Sequence, residues 1–128
     1  MQWIKVLYLI TGGAAGTLMR YFVSGLVHRY SGAGFPWGTL FVNVSGALIM
    51  GILWGIFEVR GYSSPVRIFL LIGLLGGYTT FSSFAIETLN LWREGEYWPA
   101  VAYVAMSNIL GFAAVAGGFL LSRMIFIK

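Results

Sequence analysis

The sequence predicts an all-α integral membrane protein with four spanning helices, the third interrupted near mid-membrane. Three observations carry this: an apolar composition, four long uncharged stretches, and a run of glycines and hydroxyl side chains inside the third stretch. The 128 residues are 59% hydrophobic and 9% charged, with a mean hydropathy of +0.83. Soluble domains carry about a quarter charged residues. A chain this short buries too small a share of its surface to hide so many apolar groups in its own interior. Lipid is the solvent that suits the composition, and the length fits a single domain, residues 1–128. With no cysteine and one histidine, His28, disulfides, thiolate chemistry and a histidine-built metal site drop out. The net charge of +4 is scattered, so membrane topology accounts for it better than a nucleic-acid partner does.

Each span is bounded by charge. Residues 6–19 are uncharged between Lys5 and Arg20, and the apolar character resumes through Val27, which gives a helix over 3–27. Lys5, the apolar stretch and GGAAG have the look of a secretory signal, but the apolar run continues past Arg20 and three further spans follow. Residues 30–57 are uncharged between Arg29 and Glu58, giving a helix over 37–58. Residues 68–86 are uncharged between Arg67 and Glu87, and the pattern runs to Trp92, giving 66–92. Residues 97–122 are uncharged between Glu96 and Arg123, giving 97–123. Each exceeds the roughly 20 residues needed to cross a bilayer. The connections HRYSGAGFP, RGYSSP and REGEYWP all end in proline, which is tolerated at the start of a helix. Trp3, Trp37, Trp92 and Trp98 fall at helix ends, as an aromatic belt requires; Trp54 fits this less well. Lys5, Arg60, Arg67, Arg123 and Lys128 share one face against Arg29 and Arg93 on the other, a bias toward cytoplasmic termini.

Polar groups inside the spans carry the functional signal. The pairs Gly12/Gly16, Gly51/Gly55 and Gly73/Gly77 have the four-residue spacing of close helix packing. GGAAG lacks the spacing and the preceding strand of a dinucleotide loop. The third span reads GLLGGYTTFSSF, with Gly76 and Gly77 followed by Thr79, Thr80, Ser82 and Ser83. Non-helical backbone at that depth is tolerated only where protein buries it or it lines a cavity, and broken helices expose dipole ends that bind ions. The alternative is a continuous helix whose hydroxyls bond back one turn. Asn43 in the second span and Ser107 and Asn108 in the fourth lie at similar depth, as helix glue or as parts of a pathway. Arg20 is the one cation well inside a span, either an anchor or an attractor of anions. Glu58 and Glu87 lie toward span ends, so no carboxylate is expected at mid-span for proton or cation coupling. Phe81 and Phe84 share a helix face, and a phenyl edge is electropositive. N–H and O–H donors with ring edges suit a small, hard anion.

At these residues the chain resembles the Fluc (CrcB) fluoride channels. The similarity covers essentially the whole sequence and rests on GGAAGTLMRY in the first span, GTLFVNVSG in the second and GLLGGYTTFSSF in the third. The resemblance implies an antiparallel, dual-topology homodimer of four-helix subunits in the bacterial cytoplasmic (inner) membrane. Two parallel pores along the dimer interface would let fluoride leave the cell passively, protecting it from toxicity. It implies that Phe81 and Phe84 line the pores and that Asn43 is the pore asparagine. Ser107 and Tyr103 would lie along a polar track, with Thr39 a further candidate. A structural sodium ion at the dimer centre would be held by the backbone carbonyls of Gly76 and Thr79. The residues read alone put the permeant ion at the break; the resemblance puts a structural cation there and the anion beside the phenylalanines. Tyr78 stands at a variable position, Ser83 where threonine is common, and Gly111 where some relatives carry a further hydroxyl. The charge bias sits awkwardly with antiparallel assembly, which needs insertion in both orientations.

Two other functions compete. Small multidrug exporters are also four-helix, dual-topology dimers, but they need a membrane-embedded glutamate in the first helix, and residues 3–27 hold no acid. A non-transporting membrane scaffold would account for the packing glycines but not for a concentrated polar run with Asn43 at the same depth. No nucleophile–base pair or metal cluster suggests an enzyme.

Overall fold

The computed structural model describes residues 2–126, so Lys128 lies outside it. Among the described residues, four helical spans are long and apolar enough to cross a membrane: Gln2–Ser31, Trp37–Arg60, Ser64–Arg93 and Tyr97–Phe126. We label α1 Gln2–Ser31, α2 Trp37–Arg60, α3 Ser64–Arg67, α4 Gly76–Tyr78, α5 Phe81–Arg93 and α6 Tyr97–Phe126. The helices run a few residues past the uncharged stretches because basic residues close them. His28 and Arg29, Arg60, Arg93 and Arg123 occupy the last turns of α1, α2, α5 and α6. Cations are favoured there by the partial negative charge of the unsatisfied carbonyls. Gly61 then stops α2 in the left-handed region at φ 62°, its N–H donating to Phe57 O. Pro36 immediately precedes α2, and Pro65 lies in the first turn of α3.

The third span is not one regular helix. Between α3 and α4, Ile68–Leu75 is π-helical, a wide-turned form found mostly in short pieces near functional sites. After α4, Thr79 (φ −82°, ψ 157°) and Thr80 (φ −150°, ψ 120°) are extended, and α5 begins at Phe81. The Thr80 side chain caps α5 by accepting the Ser83 N–H at 3.2 Å.

Close backbone approach fixes the packing. α1 lies against the third span and α2 against α6. A Cβ at Gly12 would stand 2.7 Å from Phe69 O, and one at Gly77 would stand 2.6 Å from Gly13 O. Gly51 and Gly55 meet α6 at Val115 O and Ser122 Oγ in the same way. Small residues permit these contacts, and in lipid close packing is what holds helices together. One buried cluster gathers Val42, Phe57, Leu71, Leu75 and Tyr78; a second gathers Leu40, Leu91, Ala100 and Tyr103. Most other large apolar side chains face outward, Trp3 and Trp98 at the extreme, as a lipid-facing surface requires. Trp54, the tryptophan that fits the end-of-helix pattern poorly, satisfies its indole by donating to Glu58 Oε1 at 3.0 Å.

Candidate functional site

The candidate site begins at the extended pair. In an unbroken helix the Thr80 N–H would donate to the carbonyl of Gly76, four residues back. Here it donates instead to Asn43 Oδ1 at 2.8 Å, while Asn43 Nδ2 donates to Thr80 O at 2.9 Å. One side chain from α2 thus satisfies both backbone groups of Thr80. A side-chain amide has two N–H donors, so one hydrogen of Asn43 remains for another partner. The diversion also leaves the Gly76 carbonyl without its helical donor, and Gly76 is exposed. Thr79 N–H still closes a turn onto Leu75 O at 2.9 Å. Thr79 O accepts a long hydrogen bond from Arg20 Nη1, at 3.4 Å.

Two cavities meet at Thr80, which is 8% exposed and lines both. The first, of about 410 Å³, is walled by Asn43, Thr79, Thr80, Phe81, Ser107 and Asn108 among others. Ser107 Oγ is buried with no hydrogen-bond partner among the described residues. Asn108 gives one amide N–H to Val104 O at 2.8 Å, within its own helix. Phe81 is 79% exposed on the subunit surface, and Phe112, another wall of this cavity, is 72% exposed. The second cavity, of about 320 Å³, holds Arg20, Ser24, Thr39, Ser83 and Glu87 around Thr80.

Glu87 is the residue that reading along the chain missed. Its Oε1 accepts from Thr39 Oγ1 at 2.8 Å and its Oε2 from Tyr103 OH at 2.7 Å. Tyr103 is fully buried and Thr39 nearly so. Position along the span put Glu87 near an end and so outside any pathway. Thr39 opens α2 and Tyr103 lies early in α6, at the same end of the bundle, so the polar residues reach that level and Glu87 joins them. Phe84 links the two regions: its ring centroid is 5.6 Å from that of Phe81 and 5.1 Å from that of Tyr103. The structure therefore brings Asn43, Thr79, Phe81 and Ser107 to one cavity, and Thr39 and Tyr103 to Glu87, with Arg20 in the neighbouring cavity. Among the described residues, no group of three or more His, Asp or Glu side chains could hold a metal ion.

Comparison with known proteins agrees with the whole length of the chain. The family model described as CrcB-like protein, Camphor Resistance (CrcB), matches residues 7–119. A protein of Nitrobacter winogradskyi named fluoride-specific ion channel FluC is 44% identical over 127 residues, covering 98% of this chain and 100% of its own. A Parabacteroides distasonis protein of the same name is 48% identical over 122 residues, covering 95% of each. One from Maridesulfovibrio salexigens is 42% identical over 122 residues, covering 94% of this chain and 97% of its own. With the family model spanning nearly all of it and relatives matched almost end to end, this chain is a member of the CrcB family.

Proposed function

We propose that the protein is a fluoride-selective channel that lets fluoride leave the cell passively across the bacterial cytoplasmic membrane. The observation that carries the reading is the cavity at Thr80. It gathers a buried, unpartnered Ser107 hydroxyl, a spare Asn43 N–H and the Phe81 ring, and no carboxylate lines it. Fluoride holds its water tightly, so a path must replace that water with hydrogen-bond donors and positive edges. Hydroxyls, an amide and phenyl edges supply these without a fixed counter-charge that would trap the ion. The names of the relatives point the same way.

Within this reading Asn43 and Ser107 donate to the anion, while Phe81 and Phe84 present ring edges to it. Thr39 and Tyr103 each have one O–H, and both are given to Glu87, so either can serve the anion only when Glu87 releases it. Arg20 stands in the vestibule, drawing anions toward Thr80. The exposed Phe81 and Phe112 face a second, antiparallel subunit, which closes two pores along the interface. A central sodium ion would be held by backbone carbonyls. Gly76 fits, since its carbonyl lacks its helical donor; Thr79 fits in part, because its oxygen is shared with Arg20. Hard oxygen ligands suit that ion, which would supply positive charge between the two breaks.

Glu87 also gives proton coupling, the mark of an exporter, a specific foothold. Liposomes loaded with fluoride or with chloride, with external pH followed as they empty, separate the readings. The channel reading expects fluoride release, no chloride release and no proton movement beyond charge balance. With charge balance supplied by potassium and valinomycin, release that still stops when proton flow is blocked would favour the exporter, and equal release of both halides would end the fluoride reading.

A further inference from the structure

Helix α2 grips both sides of the extended pair, and only one of its two grips involves Asn43. Tyr78 is the last residue of α4, directly before Thr79, and is 5% exposed. Its hydroxyl lies 2.9 Å from Ser45 Oγ. Ser45 Oγ donates its one hydrogen to Val42 O at 3.2 Å. A hydroxyl has a single O–H, so Tyr78 must be the donor of the first bond, and the order is Tyr78 O–H to Ser45 Oγ to Val42 O. The Tyr78 ring rests against Gly46, where a Cβ would also run into Thr79 Cγ2. Asn43, Ser45 and Gly46 therefore hold Thr80, Tyr78 and Thr79 in turn.

We infer that Tyr78 and Ser45 form a positioning pair for conduction, a second splint across the helix interruption. The pair touches no ion. It fixes the rotation of the last turn before Thr79, and with it the direction of the Gly76 and Thr79 carbonyls and the starting point of the segment that carries Phe81 and Phe84. Without the bond, α2 holds the backbone by a side-chain hydrogen bond at Thr80 only, and the turn before Thr79 loses its polar tie to α2. Small misplacements of ion-binding groups cost disproportionately, because the barrier depends on their geometry and not merely on their presence. The inference rests on the fluoride-channel reading above.

The test uses the full-length protein in planar bilayers, comparing the parent with Tyr78→Phe, Ser45→Ala, the double variant and Ser45→Thr. A role in folding alone lowers the number of channels recovered and leaves the current through each unchanged. A positioning role lowers the unitary fluoride current. Tyr78→Phe and Ser45→Ala should each lower it by about tenfold, the order expected when one hydrogen bond's worth of positioning is lost from a barrier. The double variant should conduct no less than the singles, since all remove the same bond. Ser45→Thr, which keeps the hydroxyl, should conduct as the parent does. Parent-level unitary current in Ser45→Ala would overturn the inference, as would a Ser45→Ala protein that cannot assemble. If Tyr78→Phe alone fails to assemble, the serine variants decide. A parent that carries no fluoride current at all would instead sink the channel reading on which the pair depends.

Discussion

Thr80 is held on every side: Asn43 takes its N–H and its carbonyl, and its own hydroxyl caps α5. Asn43→Asp tests that arrangement with almost no change of shape. The second oxygen can no longer donate to Thr80 O, and the spare N–H is gone. Leaving that buried carbonyl unpaired costs about 1–3 kcal/mol. Thermal unfolding in detergent should show a clear loss of stability, together with abolished fluoride flux; a variant with parental melting and flux would remove Asn43 from the account. Phe81 and Phe84 form the ring pair nearest the cavity, at 5.6 Å between centroids. Replacing either with isoleucine keeps bulk and loses the positive edge, worth roughly 0.5–1.5 kcal/mol in aromatic pairs. Fluoride flux should fall by several-fold while the assembled protein is recovered in parental amount. Undiminished flux in both variants would take the rings out of the pathway.

At the scale of elements, the glycines decide how near the helices come. Gly46 has no room for a side chain, because its Cβ would meet the Thr79 methyl and the Tyr78 ring. Gly46→Ala should therefore displace the extended pair and destabilise the protein by about 1–3 kcal/mol, the usual cost of overpacking. Gly13→Ala is the control: nothing lies within 4 Å of a Cβ there, and alanine suits a helix interior better than glycine, so it should melt no lower than the parent. Equal melting of both variants would contradict the packing described. Much of this level is legible in the sequence. The four spans are, because charges bound them and the long apolar runs admit no other solvent. The extended residues Thr79 and Thr80 follow Gly76 and Gly77 within the stretch marked by its hydroxyls. The π-helical turn at Ile68–Leu75 is not legible: IFLLIGLL is apolar at every position, so no periodicity separates one helical form from another. Nor is Glu87, because depth along one helix says nothing of its partners, Thr39 and Tyr103, which come from two others. Thr39 and Tyr103, themselves polar and near that end, were the available signal.

At the scale of the whole molecule, charge and assembly have to agree. The helices alternate in direction, so Lys5, Arg60, Arg67 and Arg123 stand at one end of the subunit and Arg29, Arg93, Glu94 and Glu96 at the other. The bias is modest, five basic residues against two, and an antiparallel pair requires it to be too weak to fix one orientation. Mapping of a terminal tag in intact cells should find the tag on both sides of the membrane; a tag found on one side alone would contradict dual topology. The central claim, selective fluoride conduction, is tested most directly by the reversal potential of a bilayer with fluoride on one side and chloride on the other at equal concentration. The account predicts a large potential set by fluoride alone and unmoved by a pH gradient. A reversal potential near zero, or one that follows the pH gradient, would contradict it.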